Sequence, residues 1–237
     1  NKTEFEIFLN QGIDYNIIHD KRDLKSPDNK RSNWDFYPSY PQYVSMMEAF
    51  ADSFPSICKL HNIGTLSSGH QILIAQISNN VGVKENEPSF LYTSSMHGDE
   101  LTGYILMLRL IDEMLNGYGT NIKYTNLINS VDIWINPLAN PDGAYAGGDN
   151  SIQGATRYNA NWVDLNRNYP DPLAGDHPDG NVWQEETIIF MDLADSIPFN
   201  MSCNLHTGAE VFNYPWDTWS NLAADDSWWQ YIATIYA

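Results

Sequence analysis

Short apolar strand-like runs alternate with amphipathic helical segments from Tyr37 onward, and this alternation constrains the fold more than any other feature. The segments predicted from periodicity are strands at 57–64, 71–78, 89–96, 131–136 and 199–205, and helices at 41–54, 100–115, 181–195 and from about 223. Ser67-Ser68-Gly69 joins the first two strands into a hairpin, so part of the sheet must be antiparallel. The pattern predicts an α/β fold with a central mixed β-sheet flanked by helices on both faces.

Composition excludes several classes of function. A chain of 237 residues with 43% hydrophobic side chains can bury one substantial core. Its formal net charge of −18 disfavours binding to nucleic acid or to an anionic membrane. No apolar run approaches the roughly 18 residues that a membrane-spanning helix needs, so we expect no membrane insertion.

The beginning of the sequence differs from the rest. A polar stretch rich in Lys, Asp and Asn at 20–33 follows two short strand-like runs, so we expect an N-terminal extension or linker at 1–38 and a folded domain at 39–237. Cys58 and Cys203 both lie in apolar, strand-like segments, which favours two free thiols over a disulfide.

Two histidines stand just after predicted strands, and one of them is followed by an acid. His97 directly follows the strand at 89–96, and Glu100 is expected on the first turn of the next helix. His206 follows the strand at 199–205. Two histidines and one carboxylate would leave a fourth position open on a catalytic metal, and zinc suits such mixed ligands. A single histidine at a strand end is more often an ordinary polar residue, so spacing alone leaves both interpretations open.

Two arginines lie in the turn-rich segment between the histidines. Arg157 and Arg167 follow a double Asn-Pro turn at 136–143, in a chain with only 12 basic side chains. The rigid guanidinium fork matches a carboxylate with two parallel hydrogen bonds, so the arginines could face an anionic substrate group. The alternative is an ordinary salt bridge from each to one of the 30 acidic residues.

Together these motifs resemble the zinc carboxypeptidase family, in family order and from about residue 40 to the end. The wording Asp-Leu-Asn-Arg-Asn and Asn-Tyr-Pro-x-Asp is most similar to the regulatory, or N/E-type, branch and its bacterial relatives. The matching segments are His97-Gly98-Asp99-Glu100, Asn140-Pro141-Asp142-Gly143, Arg157-Tyr158-Asn159-Ala160, Asp164-Leu165-Asn166-Arg167-Asn168-Tyr169-Pro170, Leu205-His206-Thr207-Gly208 and Asn213-Tyr214-Pro215-Trp216-Asp217.

The resemblance implies hydrolysis of the C-terminal peptide bond of peptides or proteins by a promoted water. One zinc ion would be held by His97, Glu100 and His206, and Arg157 would stabilise the oxyanion. The implied enzyme is a monomeric exopeptidase that acts outside the cytoplasm, as a secreted, periplasmic or cell-surface protein.

The resemblance also implies how the substrate is held. Asn166 and Arg167 would bind its free terminal carboxylate. Asp217 would lie in the pocket for the departing side chain and favour Arg or Lys. The alternative for Asp217 is a surface acid or a turn cap.

The sequence departs from the family pattern at its end. The family's general-base glutamate and substrate-capping tyrosine come well after the second zinc histidine, and no residue up to Ala237 matches them. We therefore expect a catalytic domain at 39–237 that lacks its C-terminal part, in a piece of a longer protein. Two other functions stay open, namely a zinc amidohydrolase acting on cell-wall or glutamyl peptides and a non-catalytic relative that binds peptide ends.

Overall fold

A five-stranded mixed sheet forms the centre of the computed structural model, which describes residues 34–216 and 218–236. The strands are β1 (Cys58–Thr65), β2 (Gln71–Ile77), β3 (Ser89–Ser94), β4 (Asp132–Asn136) and β5 (Met201–Leu205). They lie in the order β1-β2-β4-β3-β5. The β1–β2 hairpin is antiparallel and β2 is antiparallel to β4, whereas β3 runs parallel to both β4 and β5. The predicted mixed sheet is confirmed.

Helices cover both faces of this sheet. The helices of the described residues are α1 (Tyr40–Ser53), α2 (Thr102–Gly117), α3 (Ile122–Ile128), α4 (Pro141–Ala144), α5 (Glu185–Ser196) and α6 (Asp226–Tyr236). Helices α1 and α2 pack on the face that carries Leu73 and Ile135. On the other face, Leu193 of α5 packs against Ile74 and Trp134. Successive strand residues point to opposite faces of the sheet, so the helices on the two faces cover alternate side chains of the same strands.

Two helices differ from the prediction for local reasons. Helix α3 was not predicted, because seven residues are too short for a clear helical period; the Asn121 side chain starts it by accepting from the N–H groups of Lys123 and Tyr124. Helix α5 begins at Glu185 instead of 181. Its start is delayed because the backbone N–H of Gln184 donates to Asn168 Oδ1 at 2.8 Å, which holds the preceding segment to a loop.

The carboxyl ends of β3, β4 and β5 meet at one edge of the sheet. In the ladder, Thr93 of β3 is the partner of Asn136 on β4 and of Asn204 on β5. The segments that follow the three parallel strands therefore emerge side by side. Strand β3 ends two residues earlier than predicted, because Ser95 adopts a positive φ of 56° that no strand can continue.

The imidazole of His70 connects the β1–β2 hairpin to the segment after β4 through two hydrogen bonds. His70 Nδ1 lies 2.6 Å from Asp142 Oδ1 of α4, and its Nε2 lies 3.1 Å from Asp149 Oδ1. Asn140, just before α4, donates from Nδ2 to the carbonyl of Met96 at 3.1 Å. The His70 contact therefore stabilises the turn that supports the chain before His97.

These contacts change the proton affinities of both partners. The hydrogen bond with Asp142 raises the pKa of His70, against an opposing effect of burial. Burial works to raise the pKa of Asp142, but hydrogen bonds with His70 and Ser68 outweigh it and bring that pKa below its ordinary value.

Replacing His70 by glutamine should destabilise the protein most at mildly acidic pH. Because the folded-state pKa is raised, the His70 contribution is fully present below the ordinary histidine pKa of about 6.5 and is lost as the pH rises through the raised value. We expect a loss of about 1–2 kcal/mol in the free energy of unfolding near pH 5.5, measured by urea titration, and a smaller loss near pH 8.5.

His61 provides a control of opposite sign. Burial lowers the pKa of His61, so its contribution to stability rises with pH through the region between its folded and unfolded pKa values. An equal loss for His70→Gln at both pH values would show that the contact is not an ion pair.

Both cysteines are free thiols, Cys58 buried and Cys203 half-buried, and burial raises the pKa of Cys58 to about 12.

Across residues 34–216 and 218–236, no helix combines the length and the apolar character that a membrane span requires. The predicted extension at 1–38 falls almost wholly outside the described residues and stays a prediction.

Candidate active site

The three predicted metal ligands converge at the carboxyl edge of the sheet. Glu100 Oε1 lies 2.9 Å from His97 Nδ1, and Glu100 Oε2 lies 2.9 Å from His206 Nδ1. The two Nδ1 atoms are 3.2 Å apart. Ligand atoms about 2.0–2.1 Å from a tetrahedral zinc ion are separated by about 3.3 Å, so the spacing of this donor set fits one zinc ion.

A tight turn, and not a helix, brings Glu100 back to His97. The prediction of Glu100 on a first helical turn was wrong, because α2 begins only at Thr102. Glu100 N–H donates to the carbonyl of His97 at 3.1 Å, and the Ser95 hydroxyl donates to the carbonyl of Glu100 at 2.9 Å. The turn closes the short loop and directs the carboxylate toward the imidazole.

Asp164 orients the ring of His97. His97 is only 2% exposed, and its Nε2 lies 3.1 Å from Asp164 Oδ1. A carboxylate accepts but does not donate, so a proton on Nε2 satisfies Asp164 and leaves the Nδ1 lone pair for a cation. No role for Asp164 follows from the sequence alone. The only feature of the sequence that could have indicated such a role is the position of Asp164 in the matched motif, two residues before Asn166.

Both carboxylates are held in the ionised form. Burial works to raise the pKa of Glu100, but hydrogen bonds from the Thr207 N–H and from His97 bring that pKa below its ordinary value. For Asp164, the hydrogen bond and charge of Arg157 likewise outweigh burial and lower the pKa. At neutral pH, Glu100 can therefore act as an anionic ligand.

Arg157 adjoins the ligand set. Its Nη2 lies 2.9 Å from Asp164 Oδ2, and its Nη1 lies 3.2 Å from His97 Nδ1 and 3.6 Å from Glu100 Oε1. The salt bridge that the sequence left open is thus present with Asp164. The guanidinium also borders the candidate metal site and keeps 35% of its side-chain surface exposed, so a substrate oxygen can reach it.

Asn166 and Arg167 lie together on a solvent-exposed 3₁₀ turn, Leu165–Arg167. Asp164 caps this turn by accepting from the Asn166 N–H at 3.0 Å with the same Oδ1 that faces His97. The predicted carboxylate-binding turn is therefore anchored to the candidate metal site. Asp217 lies outside the described residues, so its pocket role stays a prediction.

A buried asparagine secures the loop that carries these arginines. Asn159 Oδ1 accepts from the N–H groups of Asn161 and Val163, each at 3.0 Å. Its Nδ2 donates to Gln184 Oε1 at 3.0 Å and to Glu186 Oε2 at 3.1 Å, which ties the loop to the start of α5. Buried polar groups satisfied in this way fix a single loop conformation.

Two histidines and a glutamate at the carboxyl edge of a mixed α/β sheet are the ligand set of a mononuclear metallohydrolase. Residues 43–237 match the family model described as zinc carboxypeptidase, and the chain belongs to this family.

Similar proteins include carboxypeptidases from several organisms. Carboxypeptidase D of Rattus norvegicus is 36% identical over 207 residues, which cover 84% of this chain and 15% of the relative. Carboxypeptidase M of Mus musculus is 35% identical over 210 residues, with coverages of 81% and 46%. Carboxypeptidase SOL1 of Arabidopsis thaliana is 34% identical over 197 residues, with coverages of 81% and 38%. The chain thus spans less than half the length of each.

Solved structures show the same fold. Thrombin activatable fibrinolysis inhibitor superposes with a TM-score of 0.75 at 18% identity, over 91% of this chain and 58% of that one. Carboxypeptidase A of Helicoverpa armigera gives 0.70 at 21% identity, over 86% and 53%. The resemblance to the N/E-type branch and the predicted fold class are both confirmed.

Gly98 should be essential to the corner that carries His97. A Cβ atom at Gly98 would collide with the backbone of Gly143 and Ala144, which cannot move without displacing α4. We expect Gly98→Ala to lower the free energy of unfolding by about 1–3 kcal/mol and to weaken zinc binding, measured by thermal unfolding and by chelator competition.

The matched control is Gly64→Ala, whose added Cβ would collide with the side chain of Ile189 and not with backbone near the candidate metal site. It should leave zinc binding unchanged. Equal zinc affinity for Gly98→Ala and the unmodified protein would contradict the role of the close backbone approach.

Proposed function

We propose that the protein is a zinc metallocarboxypeptidase that hydrolyses the C-terminal peptide bond of peptides or proteins. The observation that carries this proposal is the convergence of His97, Glu100 and His206 within 3.2 Å of one another, beside the Arg157 guanidinium. A closed structural metal site would need no such partly exposed arginine.

His97, Glu100 and His206 would hold one zinc ion and leave its remaining position open to the solvent side. When bound, zinc supplies a Lewis acid for the scissile carbonyl and for water. Arg157 would donate to the oxyanion that develops on the carbonyl, in an orientation held by Asp164. Because this salt bridge already fixes the guanidinium, little reorganisation is needed during reaction.

Arg167 and Asn166 would bind the free terminal carboxylate of the substrate. Arg167 stands on an exposed turn, where its Nη1 donates to the carbonyl of Asn166 at 2.8 Å. A peptide with a blocked terminus cannot pair with this charge, so the transition state loses a charged hydrogen-bond partner. This difference would make the enzyme an exopeptidase.

The preference for the departing residue is assigned to Asp217, whose carboxylate would favour Arg or Lys. We further propose a monomer that acts on peptide C-termini outside the cytoplasm. The similarity to carboxypeptidases D, M and N supports peptide C-termini as the class of substrate.

The test uses the full-length protein, zinc-loaded, on three matched peptides that end in free Arg, free Phe or Arg-amide. We expect release of Arg from the first peptide alone. Replacing Arg167 by leucine should lower kcat/KM on the free-Arg peptide by about 10²–10³-fold, since one partner of a charged pair is lost. Arg109→Gln is the control, because Arg109 is an exposed residue of α2 paired with Glu113.

Each of the other possible assay results would contradict one part of the proposal. Release of Phe would retain the carboxypeptidase and exclude the role given to Asp217. Cleavage of the amide as readily as the free acid would exclude the role of Arg167. If His97→Ala and His206→Ala bind zinc as tightly as the unmodified protein, the metal site itself is wrong.

A further inference from the structure

Asn204 contacts the imidazole of His206 on the side away from the other ligands. It lies at the end of β5, two residues before His206, and its Nδ2 is 3.1 Å from His206 Nε2. Its Oδ1 accepts from the Thr93 hydroxyl at 3.0 Å. Thr93 and Asn204 are ladder partners on parallel strands, so the sheet itself fixes the distance between the amide and the ring.

The orientation of this amide is coupled to which nitrogen of His206 carries the proton. With Nδ2 toward the ring, Nε2 accepts and Nδ1–H donates to Glu100 Oε2, 2.9 Å away. A half-turn of the amide exchanges two atoms of nearly equal size. Asn204 Oδ1 then accepts from Nε2–H, and the Nδ1 lone pair is available to a cation.

Thr93 supports both orientations. A threonine hydroxyl donates as well as accepts, so it can donate to Oδ1 or accept from Nδ2 of Asn204. Neither orientation leaves the amide without its partner on β3. Asp164 differs, because a carboxylate can only accept from Nε2–H of His97, whereas the amide can either accept from or donate to the ring.

We propose that Asn204, held by Thr93, is the positioning residue that accepts from His206 Nε2–H when zinc binds and so keeps the Nδ1 lone pair directed at the metal. The inference rests on the proposed zinc site and adds to it a control of its second histidine. His97 has a charged partner and a side chain 3% exposed, whereas His206 has a neutral partner and a side chain 34% exposed. The Asn204 amide is therefore the outer hydrogen-bond partner on which metal binding by His206 depends.

The first measurement is zinc affinity of the full-length protein in competition with a chromophoric chelator. Asn204→Leu keeps the size of the side chain and removes the acceptor, so we expect affinity to fall about 10–100-fold. Asn204→Asp is always an acceptor and should bind zinc at least as tightly as the unmodified protein. Thr93→Val should lower affinity and Thr93→Ser should retain it.

The control variant is Ser202→Ala, which lies on the same face of β5 two residues earlier. It should leave zinc affinity unchanged. Thermal unfolding in the presence of excess chelator checks that each variant folds, so that a loss of affinity is not a loss of structure.

The second measurement is the ¹⁵N NMR spectrum of the histidine rings, which reports the protonated nitrogen directly. In the zinc-loaded protein, His206 should carry its proton on Nε2, hydrogen-bonded in the unmodified protein and in Asn204→Asp. The signature of that hydrogen bond should be absent in Asn204→Leu. A residue that only packs against the strand would not separate aspartate from leucine.

Unchanged zinc affinity in Asn204→Leu would overturn the inference, and so would equal losses in Asn204→Leu and Asn204→Asp. If His206→Ala still loses zinc in that case, the proposed zinc site stands without Asn204. If His97→Ala and His206→Ala also retain zinc affinity, the proposed function fails as well.

Discussion

The parallel pairing of β3 with both of its neighbours is the constraint on which the site depends. Backbone hydrogen bonds place Thr93 between Asn136 of β4 and Asn204 of β5, so the segments after the three strands leave the sheet together. Because side chains alternate between faces, a slip of one residue in β5 would turn Asn204 and the chain toward His206 to the wrong side. The ladder thereby sets the distance between the two histidines before any side chain contributes.

Asp164 couples the two chemical parts of the site. Its Oδ1 faces His97 Nε2 and caps the turn that carries Asn166, while its Oδ2 pairs with Arg157. One carboxylate thus orients a candidate metal ligand, a candidate oxyanion donor and a candidate carboxylate-binding turn. Neutralising it would leave the partly buried Arg157 charge without this partner, so the three functions should weaken together and not one by one.

The sequence predicted most of the fold because its strands and long helices have clear periods. It also pointed to the three side chains that converge at the candidate metal site, because His97, Glu100 and His206 lie in specific motifs. It did not predict the short helix α3, which depends on a cap at Asn121. Nor did it identify the turn at Glu100, which depends on the positive φ of Ser95. Such features arise from single backbone angles or hydrogen bonds between distant segments, and neither leaves a periodic signal.

The two sides of the candidate metal site differ in burial. His97 is buried, and Asp164 and the tight turn at Glu100 contact it or the loop that carries it. His206 and the turn with Arg167 lie on the exposed side, where the proposed peptide substrate would enter. A site of this kind can hold its metal through the buried ligands while the exposed residues adjust to the substrate. The neutral, reversible partner Asn204 suits the exposed side, and the fixed, charged partner Asp164 suits the buried one.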